Sequence, residues 1–160
     1  MEILSRAALL ALVKANPKEH SAVVIHEFGK RAEVEEIIRH CKKCVVLEMD
    51  DIISDRLGGP TKEQVQEALA SGFEIVACKQ GVSRSAAIAF LMECQKKSPE
   101  EAIKLLDEKK HYPNELILKF GLELIGDSIK NPVREFFKKL AAHKGWSWEP
   151  HNLVTKFFKD

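Results

Sequence analysis

The sequence predicts an α/β fold in which helices flank a mostly parallel central sheet, in three layers ordered α/β/α. Short apolar runs bounded by polar turns indicate strands at residues 22–25, 45–49 and 74–77. Helical patterns lie between these runs, and a β-α-β-α-β order implies right-handed crossovers and parallel strands. With 160 residues, the chain is long enough for one such domain with a sizeable core.

The composition is that of a globular protein and excludes several function classes. Hydrophobic residues make up 45%, charged residues 31%, and the formal net charge is +1. Residues 3–14 indicate an amphipathic helix and not a secretory signal, because Arg6 interrupts the apolar run and Pro17 lies beyond its end. No stretch approaches the roughly 18 apolar residues that span a bilayer. We therefore expect no nucleic-acid or membrane partner, a cytoplasmic location and a monomer.

Four cysteines occur without a secretory signal, so a reducing compartment and free thiols are expected. Cys41 and Cys44 have thioredoxin-like or zinc-like spacing, but no second such pair or pair of histidines completes a site. They precede the second predicted strand, roughly 20 Å from its far end at about 3.3 Å per residue. A metal or redox role, including pairing with Cys78, is therefore disfavoured, and Cys94 is assigned to core packing.

Cap residues mark the ends of two helices. Thr61 and Gln64 have the spacing of a capping box, and Gly72 ends the helix that follows them. Ser98 stands before a proline and two glutamates, which predicts a helix over residues 99–110. The other helices, indicated by their apolar patterns, are predicted at residues 31–40, 85–95, 115–126 and 133–144.

The chemistry is concentrated in residues 76–90, VACKQGVSRSAAIAF. Cys78 and Arg84 form a Cys-x5-Arg pattern, with Gly81 between them and Ser85 directly after the arginine. A bare Cys-x5-Arg arises by chance in about one of five such chains, whereas the added glycine and serine lower this to about one in a thousand. The pattern also begins where a strand ends and stops where a buried helix begins. A buried thiol beside an unrelated surface arginine is therefore the weaker interpretation.

These residues suit the binding of a tetrahedral oxyanion. Backbone N–H groups can curl inward as a nest, because Gly81 permits the tight turn, and the helix N-terminus adds positive potential. The Arg84 guanidinium can hold two phosphoryl oxygens, and its charge lowers the pKa of Cys78 from about 8.5. The thiolate can attack phosphorus in line to give a cysteinyl-phosphate, with Ser85 stabilising the sulfur when it leaves. The residues expected to contact the phosphate are Lys79, Gln80, Gly81, Val82, Ser83 and Arg84.

The segment CKQGVSRS closely resembles the phosphate loop of cysteine-based protein tyrosine phosphatases, and its Ser-Arg-Ser ending resembles the dual-specificity branch. EMDDI and PEEAIKLLDEKKHYPNELILKFG are similar to the family's preceding strand and following helix and turn. The likeness is greatest to small bacterial predicted tyrosine phosphatases and makes residues 45–126 the catalytic core. Residues 1–40 then supply an N-terminal helix and first strand, and residues 131–160 a C-terminal helix and tail. The resemblance implies a dual-specificity-phosphatase-like fold, with no metal or cofactor.

The resemblance also implies an aspartic acid that protonates the leaving oxygen. The matching position is Asp51 or its neighbour Asp50, both just past a strand parallel to the one that ends at Cys78. Only one of two adjacent side chains can face the phosphate, and Asp51 fits the family's Asp-Ile pattern. Asp55 is a weaker third candidate. Capping of the next segment is the alternative role for these carboxylates.

Other positions bear on how active the site is. The family places histidine directly before the nucleophile, where this chain has Ala77, so we expect a higher thiol pKa than in relatives and lower activity. Asn114 either braces the catalytic loop, as the resemblance implies, or caps the next helix. His111 and Tyr112 are expected on the turn surface. The tail GWSWEPHNLVTKFFKD is expected to dock on the domain's own core, with docking on a partner as the alternative.

The expected activity is hydrolysis of phosphate monoesters, with phosphotyrosine in a protein or peptide favoured and dual specificity left open. A lipid phosphate is less favoured, because Val82 replaces the second lysine of the lipid-directed relatives. An RNA phosphate is less favoured because no basic, aromatic-rich groove is indicated. A non-catalytic module that binds phosphate or a phosphoprotein is the alternative of a different class.

Overall fold

The sheet has four parallel strands in the order β1-β4-β2-β3. The computed structural model describes residues 1–54, 56–146 and 158. The strands are β1 (Glu2–Ser5), β2 (Ser21–His26), β3 (Lys43–Glu48) and β4 (Ile75–Cys78). The predicted α/β class with a parallel central sheet is confirmed.

Helices cover both faces of the sheet, which gives three α/β/α layers. The first two helices pack on one face, and the later ones form the larger core on the other. In the described part of the chain the helices are α1 (Arg6–Ala15), α2 (Glu35–His40), α3 (Lys62–Ser71), α4 (Arg84–Glu93), α5 (Pro99–Ala102), α6 (Glu115–Ile125) and α7 (Lys130–Lys144).

Alternate side chains of the inner strands enter the two cores. In β2, Ile25 faces the larger core and Val24 faces α1 and α2. In β4, Cys78 faces the larger core and Ala77 faces α1 and α2. Because both faces are covered, these strands appear in the sequence as continuous apolar runs. Every residue of α4 is buried, so this helix lies inside the fold as its apolar surface predicts.

The expectation of one helix over residues 3–14 is wrong at its start. Glu2–Ser5 forms a strand that pairs with β4, and Ser5 lies opposite Cys78. The helix α1 begins only at Arg6, where the Ser5 hydroxyl caps it by accepting the Ala8 N–H at 3.1 Å. A strand this short carries no readable periodicity, so only its pairing with a distant segment reveals it.

The helix expected over residues 99–110 is wrong beyond its first turns. A 3-10 turn over Ile103–Leu105 follows α5, and Leu106 is extended and buried. The Asp107 N–H then donates to Nδ1 of His111 at 3.0 Å, which holds a turn in place of a helix. The capping serine starts the helix as expected, but burial of the leucine ends it.

The remaining elements differ from expectation only at their ends. The helix expected from residue 31 opens with a 3-10 turn over Arg31–Val34, and β3 begins early enough to include Cys44. The capping box of Thr61 and Gln64 is present. No helix within the described ranges is long and apolar enough to cross a membrane.

Most of the tail, residues 147–157, lies outside the described residues. Before it, the Trp146 ring meets Tyr112 edge-on, with ring centroids 6.1 Å apart. After it, Phe158 is buried against the larger core. For these two aromatic side chains, contact with the domain itself is observed.

Candidate functional site

The Cys-x5-Arg segment forms the loop that connects β4 to α4. Cys78 ends the strand and Arg84 begins the helix, so the thiol lies beside the helix N-terminus. Gly81 has φ +71°, in the left-handed region. A Cβ there would lie 2.8 Å from the backbone of both Leu4 and Ser5. Conformation and space therefore both require glycine, and the end of β1 backs the loop.

The thiol of Cys78 is buried among hydrogen-bond donors. Its Sγ lies 3.1 Å from the Ser85 Oγ. The backbone N–H groups of Gly81 and Ser85 also donate to the sulfur. The loop therefore turns its N–H groups inward in the way that nests for anions do.

The pKa of Cys78 lies below its ordinary value. Burial is the largest influence and would raise it, but the hydrogen bonds from Ser85 and Gly81 and the charge of Arg84 together outweigh burial. The thiolate is the nucleophilic form, so these contacts favour reactivity. Ala77 is fully buried on the opposite face, against α1 and α2, and offers no imidazole to the loop.

Arg84 is 4% exposed, and its two terminal nitrogens are both engaged. Nη1 donates to the Met49 carbonyl at 2.9 Å, and Nη2 donates to Oε1 of Glu27 at 3.0 Å. Its Nε is buried and has no hydrogen-bond partner among the described residues. Leaving a buried donor unpaired costs on the order of 1–3 kcal/mol, so this N–H favours a ligand that accepts a hydrogen bond.

Glu27 connects Arg84 to a second arginine. Its Oε2 accepts a hydrogen bond from Nη1 of Arg6 at 2.8 Å, and Nη2 of Arg6 donates to Glu33 at 2.9 Å. The pKa of Glu27 is lowered to about 2, because hydrogen bonds from Arg84 and Arg6 outweigh the opposing effect of burial. The four side chains form an alternating row of charges that ends at the loop.

Sequence reasoning missed both Glu27 and Arg6. Glu27 directly follows β2, at the edge of the sheet where Cys78 ends β4. The rule that ligands bind at the carboxyl ends of parallel strands could have found it. No local pattern distinguishes Arg6, because its partners are distant in sequence.

Asp51 lies in the same cavity as the thiol. Its Oδ1 accepts hydrogen bonds from Oγ of Ser83 at 2.7 Å and from Nδ2 of Asn114 at 2.8 Å. These two bonds fix the carboxylate beside the loop, while the residue remains exposed to solvent.

Asp50 points elsewhere. Its Oδ1 accepts the Phe28 N–H at 2.9 Å, so the side chain holds the loop that follows β2. Of the two adjacent carboxylates, Asp51 is the one that faces the loop with the thiol. The third candidate, Asp55, lies outside the described residues.

Asn114 caps the next helix, and its side chain also contacts the segment that follows β3. Its Oδ1 caps α6 by accepting the N–H groups of Leu116 and Ile117, each at 3.1 Å. Its Nδ2 donates to Asp51 and, at 3.1 Å, to the Ile52 carbonyl. One buried amide therefore joins a helix start to the segment that carries the candidate acid.

The turn before α6 also supports the loop through its backbone. The Tyr112 N–H donates to the Val82 carbonyl at 3.0 Å, and the Asn114 N–H donates to the Ser83 carbonyl at 3.2 Å. The expectation that His111 lies on the surface is wrong, because it is 7% exposed. Tyr112 is half-buried, with its ring edge-on to Phe137.

The cavity at this loop measures about 100 Å³. Larger cavities of about 420 and 470 Å³ lie between α5 and α7 and beside residues 56–63. Neither of them is lined by a cysteine, so size does not decide which cavity carries the chemistry. The small cavity is lined by Asp51, Cys78, Lys79, Gln80, Val82, Ser83 and Arg84.

The remaining cysteines lie apart from this cavity. Cys41 and Cys44 are free thiols packed with α1 and α2, and a hydrogen bond from Cys44 lowers the pKa of Cys41. Cys94 packs against the larger core. Within the described residues, no group of three or more histidine, cysteine, aspartate or glutamate side chains is arranged to hold a metal ion.

Comparisons with known proteins leave the family open. No family model, no curated protein and no solved structure matches this chain. The functional interpretation therefore depends on the residues and their geometry.

Proposed function

We propose that this chain is a cysteine-dependent phosphatase with a dual-specificity-phosphatase-like fold, which hydrolyses phosphate monoesters through a cysteinyl-phosphate. One observation carries the proposal: Cys78, whose thiol is surrounded by hydrogen-bond donors, and Arg84, whose guanidinium keeps a buried, unpaired N–H, line the same small cavity. A tetrahedral oxyanion fits these groups, because the guanidinium and the loop N–H groups donate and the sulfur lies beneath.

Arg84 is prepared to hold phosphate by its side edge. With Met49 and Glu27 engaging the terminal nitrogens, Nε and a remaining hydrogen on Nη2 form a second two-donor fork. A phosphoryl group can bind there bidentately. Backbone N–H groups of the loop would complete the contacts to its oxygens.

The first chemical step transfers the phosphoryl group to sulfur. The Cys78 thiolate attacks phosphorus in line, forming an S–P bond while the ester P–O bond breaks. Asp51 donates a proton to the departing oxygen. Its hydrogen bonds from Ser83 and Asn114 both end on Oδ1, which leaves Oδ2 to carry that proton.

The second step releases phosphate. Asp51, now ionised, takes a proton from a water molecule that attacks phosphorus, and the S–P bond breaks. The Ser85 hydroxyl, 3.1 Å from the sulfur, stabilises the thiolate as it leaves. The enzyme returns to its starting protonation state, and no cofactor is needed.

Phosphotyrosine in a protein is the substrate that we favour. Phe28 and Ile53 are exposed apolar side chains on the two loops that follow β2 and β3 at this edge, and they are 54% and 51% exposed. Apolar surface at the same edge of the sheet as a phosphate site suits an aryl ester and its flanking peptide better than a small polar alcohol. Val82 gives the loop no second lysine for a lipid headgroup.

A non-catalytic phosphate-binding module is the second candidate, and Ala77 favours it. The buried methyl group supplies no hydrogen bond to hold the loop or keep the thiol acidic. Such a module would keep the nest and Arg84 and would bind phosphate without turning over an ester.

Hydrolysis of a chromogenic aryl phosphate between about pH 5 and 7 separates the two candidates. We expect turnover by the wild type and none by Cys78→Ser, because the alcohol is a far weaker nucleophile than the thiolate. Cys94→Ser is the matched control and should retain activity, since Cys94 lines no part of the cavity. Turnover that persists in Cys78→Ser, or no turnover by the wild type, would refute the proposal of a cysteine-dependent phosphatase.

A further inference from the structure

The N-terminal segment contacts the candidate site in two ways. The backbone of Leu4 and Ser5 backs Gly81 so closely that no Cβ fits. The next residue, Arg6, is 9% exposed and donates to Glu27 and Glu33. Its Nη1 also lies 3.4 Å from the Ile25 carbonyl. The first residue of α1 is therefore buried beside the strand that leads to Glu27.

Within the described residues, Glu27 is the carboxylate that joins the buried arginines Arg6 and Arg84. Each of its oxygens has a separate partner, Oε1 for Arg84 and Oε2 for Arg6. Because Arg6 holds one oxygen, the carboxylate meets Arg84 end-on through a single oxygen. This geometry leaves Nε of the Arg84 guanidinium, and one hydrogen on Nη2, unengaged by Glu27.

The backbone around Glu27 is held independently of Arg6. The Phe28 N–H donates to Asp50 at 2.9 Å, and the Gly29 N–H donates to Glu48 at 3.1 Å. Loss of the Arg6 guanidinium therefore leaves the loop anchored and alters chiefly the orientation and charge balance of Glu27.

We propose that Arg6 is a positioning residue of the anion site, acting through Glu27 to orient Arg84 and to keep the site's charge favourable to an oxyanion. The proposal rests on the proposed function for the identity of that anion, a phosphate monoester. It also assigns the N-terminal segment to the site, although residues 45–126 carry the sequence resemblance.

The charge balance gives the direction of the effect. Arg6 and Arg84 carry two positive charges, and Glu27 and Glu33 carry two negative ones, so the row is neutral. Glu48, the last residue of β3, and Asp50 contact the loop that follows β2 and are also acidic. The other charged side chains that line the cavity with Cys78 and Arg84 are Asp51, which is acidic, and Lys79, which is basic. Removing the Arg6 charge leaves a net negative row beside Arg84, which disfavours both the Cys78 thiolate and a bound phosphate.

The test is a cycle of variants read by the pH dependence of Cys78 alkylation with iodoacetamide, followed by peptide mass spectrometry. For Arg6→Met we expect the midpoint of alkylation to rise by about half a pH unit. In the Glu27→Gln background, Arg6→Met should raise the midpoint by less than half as much as it does in the wild type, because the coupling runs through this carboxylate. Lys14→Met is the matched control on α1, where Lys14 forms an exposed ion pair with Glu36, and its midpoint should not move.

Two further measurements keep the result independent of folding. Arg6→Lys retains the charge, so its alkylation midpoint should lie close to the wild-type value. Protection of Cys78 from alkylation by inorganic phosphate should weaken about fivefold in Arg6→Met and change less than twofold in Lys14→Met. An Arg6→Met midpoint equal to that of the control, or an equal rise with and without Glu27, would overturn the proposal.

This cycle needs no turnover, so it is separate from the test of the proposed function. A protein that shows the Arg6 coupling without hydrolysing an aryl phosphate would retain the positioning role and lose the phosphatase assignment. A protein that hydrolyses an aryl phosphate without the Arg6 coupling would retain the phosphatase assignment and lose the positioning role.

Discussion

A cysteine lies near each end of α4, and the two thiols differ sharply. Cys78 precedes the N-terminus of the helix and has a lowered pKa, whereas Cys94 caps its C-terminus and has a pKa raised to about 12. Burial raises the pKa at both positions. At Cys94 the charges of Glu100 and Glu93 add to it, and at Cys78 hydrogen-bond donors and an arginine oppose it.

The difference teaches that burial alone does not decide which thiol is reactive. The peptide dipoles of one helix favour an anion at its N-terminal end and disfavour one at its C-terminal end. Around Cys78 the loop adds directed N–H groups that have no counterpart at Cys94. We therefore expect perturbations of the donors around Cys78 to change its chemistry and to leave Cys94 unaffected.

The largest effect is expected for Arg84→Lys. A lysine presents its donors from a single nitrogen, which cannot take the separate positions from which Nη1 and Nη2 of Arg84 reach Met49 and Glu27 while a phosphoryl group is also held. We expect kcat/KM for an aryl phosphate to fall about a thousandfold. Arg31→Lys, in an exposed ion pair with Glu35, is the control and should match the wild type. A fall of less than tenfold in Arg84→Lys would contradict this account.

The next effect distinguishes the adjacent carboxylates. Asp51→Asn should lower kcat about a hundredfold and remove the fall in kcat with rising pH that reports loss of the acid's proton. Asp50→Asn should change kcat less than threefold, because its side chain binds the Phe28 N–H. The full pH profiles of both variants decide the assignment. The reverse pattern would make Asp50 the acid.

A smaller effect is expected for Ser85→Ala. Removing the hydroxyl that lies 3.1 Å from Sγ should raise the alkylation midpoint of Cys78 by about one pH unit. The pKa of Cys94 should not change, so its alkylation measured in the same sample serves as the internal control. A Cys78 midpoint that stays in place would show that the hydroxyl does not stabilise the thiolate.

The smallest effect concerns acid stability. The folded pKa of Glu27 is about 2, below the ordinary 4.5, so its contribution is complete above pH 4.5 and is lost as pH falls toward 2. As the pH is lowered from 4.5 toward 2, the free energy of unfolding of Glu27→Gln should therefore fall less than that of the wild type. Denaturant titration at each pH measures both. Glu67→Gln, at an exposed position on α3, should retain the wild-type slope. Equal slopes in both variants would argue against the two-arginine contact.

Local signals in the sequence predicted the part of the site that is continuous in the chain. The loop from Cys78 to Ser85 follows from its spacing, from Gly81 and from the buried helix after it. The cap residues Thr61 and Ser98 start their helices as expected. These features depend on neighbours a few residues apart, so the sequence alone carries them.

Features that depend on distant pairing were not predictable in this way. Four residues of β1 became a strand only through their bonds with β4, and the helix after Ser98 stopped early because Leu106 turns into the core. Glu27 and Arg6 reach Arg84 through tertiary contacts alone. The choice between Asp50 and Asp51 likewise required the positions of their partners.

The central claim is that Cys78 becomes phosphorylated during turnover. The most direct measurement is rapid acid quenching of the wild type with an aryl phosphate, followed by mass spectrometry of its peptides. The account predicts one phosphoryl group on the peptide that contains Cys78, absent from Cys78→Ser and present in Cys94→Ser. Turnover with no phosphorylated cysteine, or with the phosphoryl group on another residue, would contradict it.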